Sequence, residues 1–179
     1  MNLDERVAYI KGTPIRNNTQ MPNRLVSNPI DKDWDKNIQK MFWYHSTPVE
    51  AFSQPELYEL RNHLLTLGGS EVCMPWKDPD VKQIIERGQL WYGDRLRMTS
   101  GEPCQCHANS AYHWHRNPDK LVLCTGYALS EDGMWRQHSW CVEPRVRKSR
   151  IVETTVERIA YFGFAMTEEE ADDFYEHNY

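Results

Sequence analysis

Leu121-Val122-Leu123-Cys124-Thr125-Gly126-Tyr127-Ala128-Leu129 is apolar or small at both alternating sets of positions, and Ser130-Glu131-Asp132-Gly133 follows it. Alternate residues of a strand face opposite sides, so this run predicts a central strand buried on both faces. Asp-Gly is a strong turn dipeptide, which makes the next run, Met134 to Glu143, the returning partner of a hairpin. Arg150 to Val156 reads as a third strand, joined around Pro144 to Ser149, and Tyr161-Phe162-Gly163-Phe164 as a further one. The expectation is an antiparallel meander. Thr167 and Glu170 then make a capping box that opens a terminal helix with Ala171, Phe174 and Tyr175 on one side.

Upstream of the strand, a loop of Thr99, Ser100, Gly101, Glu102 and Pro103 leads into Cys104-Gln105-Cys106-His107-Ala108-Asn109-Ser110-Ala111, the start of a helix that ends before Pro118. Two earlier helices are legible. Ser53 with Glu56 three residues on, Pro55 in the first turn and Leu57, Leu60, Leu64 and Leu67 at helical spacing predict a helix closed by Gly68-Gly69. Asp78 as cap, Pro79 at the first position, Val81, Ile84 and Ile85 as the apolar stripe and Gly88 at the end predict another. Gln89 to Met98, with Trp91, Tyr92 and Leu96, reads as a loop or short strand. Met41-Phe42-Trp43-Tyr44 is an aromatic run, and residues 1–40 lack any sustained period. The expected organisation is a single α+β domain over 1–179: an irregular arm (1–40), a helical scaffold (41–99), a helix and antiparallel sheet (100–164) and a terminal helix (165–179).

The chain has 179 residues, 40% of them hydrophobic, enough for one substantial core. A formal charge of −5 argues against general attraction to nucleic acid or anionic membrane. Arg145, Arg147, Lys148 and Arg150 form the one dense basic cluster and read as a solvated hairpin turn. No apolar run approaches the roughly 18 residues of a membrane span, and Met1 to Ile10 carries charges where a signal peptide needs an apolar core. Five cysteines at irregular spacing do not form the framework of a small disulfide-rich domain. A cytoplasmic protein with reduced thiols is expected, with no cofactor.

The chemistry centres on Cys106. A thiol at a helix start faces unpaired N–H groups and the positive end of the helix dipole, both of which favour the thiolate. His138 lies on the second strand of the meander and Glu153 on the third. With a four-residue loop, Pro144 to Arg147, Glu143 would pair with Lys148 and His138 would stand directly opposite Glu153, the Cβ atoms roughly 5 Å apart. The carboxylate would then fix the imidazole tautomer and leave the other ring nitrogen for the thiol. The expectation is a Cys106–His138–Glu153 triad attacking a carbonyl to give a thioester and an oxyanion. The Cys106 backbone N–H is the first candidate donor to that oxyanion, with Gln105, Asn109 and the Trp91 indole as candidates for the second. His107 is expected to point away along the helix.

These motifs resemble those of the papain-like and transglutaminase-like cysteine hydrolase superfamily: Cys106 heading a helix with small Ser110 and Ala111 after it, then His138-Ser139-Trp140, then Ile151-Val152-Glu153-Thr154-Thr155. Transglutaminase-like members follow a Cys-led helix with a strand bearing His-Ala-Trp and a strand ending in an Asp-Pro-Thr-like triplet. The resemblance covers roughly residues 100–156. It implies that Cys106 is the nucleophile, His138 the base and Glu153 the orienting acid of a hydrolase or acyltransferase acting on peptide or protein amide bonds. This chain departs from the pattern in having Glu for Asp, Thr154 where Pro is common, and His107 directly after the nucleophile. Two other classes compete: a protein-binding module without catalysis, and a structural zinc site drawing on Cys104, Cys106, His107, His113 and His115, whose spacing is poor for zinc. Cys73, Cys124 and Cys141 read as core.

Overall fold

A computed structural model describes residues 47–145 and 149–179. The expected arm, the aromatic run at 41–44, and Arg147 and Lys148 of the basic cluster lie outside the described residues. The architecture is mixed α+β. After a 3-10 turn at Val49–Ala51 come α1 (Pro55–Leu67), β1 (Glu71–Cys73), α2 (Val81–Arg87), β2 (Gln89–Tyr92), β3 (Leu96–Met98), α3 (Cys106–Arg116), β4 (Val122–Leu129), β5 (Met134–Glu143), β6 (Arg150–Glu153), β7 (Ala160–Ala165) and α4 (Glu168–Asn178). No helix among the described residues is long and apolar enough to cross a membrane.

Seven strands form one curled, mostly antiparallel sheet in the order β2-β7-β4-β5-β6-β3, with β1 added in parallel to the start of β5. The strand at 122–129 is buried at all eight positions, as its double apolar alternation requires. Tyr127, Leu123 and Leu129 face a core built with Leu57, Leu60 and Leu64 of α1, Ile84 of α2 and Trp114 of α3. Val122, Cys124 and Ala128 face a second cluster that the curl of the sheet encloses, with Trp140, Ile151 and Tyr161, and Trp91 and Leu96 packed against it.

Several expectations change in detail. β7 does not extend the meander beyond β6; it pairs with β4 along one edge and β2 along the other. Two glycines make room for this pairing, because a Cβ on Gly126 (φ +155°) would stand 2.2 Å from the Phe162 carbonyl oxygen. The run 89–98 supplies two strands, one at each end of the sheet order, and the third meander strand stops at Glu153. The β5–β6 register pairs Glu143 with Arg150 and Cys141 with Val152. The connection is therefore six residues, not four, and the expected pairing of Glu143 with Lys148 is wrong by two positions. An even slip keeps every side chain on its face, so His138 and Glu153 stay on one side as diagonal neighbours.

The first helix begins after Gln54 without a side-chain cap, so Ser53 forms no capping box; its hydroxyl donates to the Trp76 carbonyl instead. Asp78 lies two residues before the cap position of α2 and accepts from the Asp80 N–H, the Tyr127 hydroxyl and Gln137 Nε2. The capping box of Thr167 and Glu170 is present as read.

Candidate active site

Along its β4 edge, β5 is paired from Trp135 to Val142. Its other edge is shared, with β1 taking residues 134–136 and β6 taking residues 141–143. Between them, residues 137–140 have no strand partner on that side among the described residues. The start of α3 fills the interval. Ser110 Oγ donates to the Ser139 carbonyl at 2.9 Å, His107 Nδ1 meets Ser139 Oγ at 2.7 Å, and the Cys106 thiol lies against both His107 and His138. A gap in one strand's edge thus brings a helix N-terminus to the middle of a sheet.

The loop before the helix is fixed tightly. Asn109 brackets Glu102, accepting its N–H at 3.0 Å and donating to its carbonyl at 2.8 Å. A Cβ on Gly101 would come within 2.7 Å of both the Asn109 side chain and the Thr154 carbonyl, so only glycine lets the loop pass between α3 and the end of β6. The Asn109 N–H donates to the Gln105 carbonyl at 2.9 Å. The N–H groups of Cys106, His107 and Ala108 are the ones that an α-helix leaves without an internal acceptor.

His138 is 2% exposed and Glu153 fully buried. His138 Nε2 lies 2.8 Å from Glu153 Oε2, leaving Nδ1 as the nitrogen free for the thiol. The carboxylate collects four more donors: the Tyr161 hydroxyl on Oε2, and the Thr154 N–H, Thr155 N–H and Thr155 hydroxyl on Oε1. Burial would raise the acid's pKa, yet the bonds from His138, Thr155 and Tyr161 outweigh it and hold Glu153 at about 2. The same contest is visible at the other two groups. Burial pushes the Cys106 thiol up, but hydrogen bonds and charge from the two imidazoles bring it down to about 5. Burial pushes His138 down, but Cys106 and Glu153 lift it to about 9. Between those values the pair stands as thiolate and imidazolium.

The structure thus places Cys106, His138 and Glu153 together. Of the candidate oxyanion donors, Asn109 is occupied in bracing the loop, Gln105 is the N-cap residue and exposed, and Trp91 packs edge-on against Trp140 in the second core. Sequence reasoning misplaced His107, which turns toward Ser139 and the thiol and does not point away along the helix. It also missed Tyr161, because nothing local in β7 signals a carboxylate on another strand. The zinc donors are dispersed: His113 Nε2 meets the Ser100 carbonyl, His115 stacks on Tyr175, and Cys104 is exposed. Among the described residues no group of three His, Cys, Asp or Glu side chains is placed to hold a metal ion.

Beside this site, on the face of the sheet that carries α2, α3 and α4, lies a cavity of about 470 Å³. His107 is one of its walls, with Gln137 and Thr125 from the sheet and Phe174 from α4. Neither Cys106 nor His138 lines it, so His107 stands between the cavity and the thiol. No protein-family model, no curated protein and no solved structure matches this chain.

Proposed function

We propose that this chain is a cysteine-dependent hydrolase or acyltransferase acting on amide bonds through a thioester on Cys106, with a core of the papain-like or transglutaminase-like kind. The supporting observation is the buried relay in which Glu153 holds His138 by Nε2 and leaves Nδ1 to the thiol. A structural cysteine has no use for a thiolate–imidazolium pair kept ionised inside a protein, since two desolvated charges are costly unless something is gained from them. In the proposed acylation, the thiolate attacks the carbonyl carbon, the oxyanion meets the N–H groups of the α3 first turn, and His138 gives its proton to the departing amine. Glu153 remains ionised throughout and steadies the imidazolium.

Alkylation with iodoacetamide, mapped by mass spectrometry, tests this reading. Cys106 should be labelled at pH 6 at least 100-fold faster than Cys104, the exposed thiol two residues away, and His138→Ala should remove that advantage. Equal labelling of the two thiols would sink the proposal.

A further inference from the structure

His107 follows the nucleophile directly, touches its thiol and walls the neighbouring cavity. Its Nδ1 is held by a chain of hydroxyls. Ser139 Oγ lies 2.7 Å from His107 Nδ1 and 3.0 Å from Thr125 Oγ1, so Nδ1 is engaged by the hydroxyl pair. With Nδ1 occupied, Nε2 is the ring nitrogen available to the thiol and to the cavity. In the free enzyme it donates to the thiolate, and once the sulfur is acylated that acceptor is gone and the proton can move to Nδ1, leaving Nε2 its lone pair. His138 is placed differently. It is almost fully buried, bound at Nε2 by Glu153 and in contact with the thiol, and it does not line the cavity.

We propose that the two imidazoles divide the reaction: His138 serves acylation, and His107 is a second catalytic base that activates the water or amine arriving from the cavity to cleave the thioester. The inference rests on the thioester reading above. When it begins, His138 has given its proton to the first leaving group. The incoming O–H or N–H loses its proton to His107 Nε2 as its oxygen or nitrogen bonds to the acyl carbon. The tetrahedral oxyanion collapses, the C–S bond breaks and its electron pair stays on sulfur. The proton passes from His107 to the sulfur and on to His138, which restores the thiolate and imidazolium with no net change of charge. Two positions for two bases also suit the geometry, since the leaving group and the second nucleophile then have separate routes to one carbon.

The test uses the full chain with 4-nitrophenyl acetate as acyl donor, the burst of nitrophenolate reading acylation and the steady state reading deacylation. His107→Asn keeps a donor nitrogen where Nδ1 stood and so retains the bond to Ser139, but it offers no base. Steady-state turnover should fall about 100-fold further than the burst rate does. Intact mass should show the acetyl group accumulating on Cys106. Added n-butylamine separates the two nucleophile sources, because N-butylacetamide rather than acetate is the product if the cavity admits amines. If the Asn variant fails to keep its far-UV circular dichroism, His107→Gln repeats the measurement. Wild-type turnover in a folded His107 variant, or equal losses in burst and turnover, would overturn the second base and leave the thioester intact. A wild-type chain with no burst would instead overturn the thioester reading, and the second base with it.

Discussion

At the residue scale, the site is a competition between burial and pairing that pairing wins. The Cys106 thiol at about 5 and His138 at about 9 define the window in which thiolate and imidazolium coexist. Cys106 is depressed, so the thiolate is lost as pH falls through about 5; His138 is raised, so the imidazolium is lost as pH rises through about 9. Iodoacetamide labelling of Cys106 should therefore rise with a midpoint near pH 5 and change again near pH 9. His138→Asn should move the first midpoint toward the ordinary thiol value of about 8.5. Glu153 makes a separate prediction. A glutamine there keeps the shape, but its amide nitrogen cannot accept from the donors that one carboxylate now satisfies. Glu153→Gln should cost about 3–5 kcal/mol of stability in denaturant titration, the size expected when one member of a buried pair is removed. The Glu153 acid is depressed, so its contribution is complete above its unfolded pKa and disappears as pH falls toward about 2. Equal stability of wild type and Glu153→Gln at pH 7 would contradict this account.

Elements were legible where the signal is local and nothing outside competes with it. The box of Thr167 and Glu170 formed as read, whereas Ser53 gave its hydroxyl to the distant Trp76 carbonyl and Asp78 turned to Tyr127 and Gln137. A cap contributes only about 1 kcal/mol, so a partner distant in sequence can outbid it, and the sequence holds no sign of that partner. Thr167→Ala should accordingly cost about 1 kcal/mol in chemical denaturation and be felt mainly in α4. Register shows the complementary lesson. The assumed antiparallel pairing put His138 and Glu153 on one face, but the loop length could not be counted from composition, and the two-residue slip left the His138 and Glu153 pair unharmed. A one-residue slip would have parted them. Gly126 has no room for a side chain in the sheet. Gly126→Ala combines φ +155° with a backbone oxygen 2.2 Å from the new carbon, and should destabilise by about 3 kcal/mol or more. Tolerance of alanine there would mean that the β4–β7 pairing differs from the one described.

At the scale of the whole molecule, sequence order suggested a meander, and long-range pairing replaced its last step by seating β7 between β4 and β2. That choice decides where α4 goes, because the chain leaves β7 beside α2 and packs its last helix against α3. Arg87 at the end of α2 joins these parts. Its guanidinium pairs with both oxygens of Glu170 in the first turn of α4, donates to the Ala165 carbonyl at the end of β7, and lies 4.6 Å from the Phe164 ring centre. Lysine can supply the charge but not the planar fork that meets a carboxylate and a carbonyl together. Arg87→Lys should therefore loosen α4 without touching the sheet. Native-state hydrogen exchange should show amides of α4 exchanging about tenfold faster, equivalent to about 1.4 kcal/mol, while those of β4 keep their wild-type protection. Although α4 supplies Phe174 to the cavity wall beside His107, the helix N-terminus and the bond from His138 do not depend on it, so the same variant should leave the pH midpoint of Cys106 labelling in place. A shifted midpoint would mean that the thiolate depends on α4, and that the helix N-terminus and the two imidazoles are not what holds it.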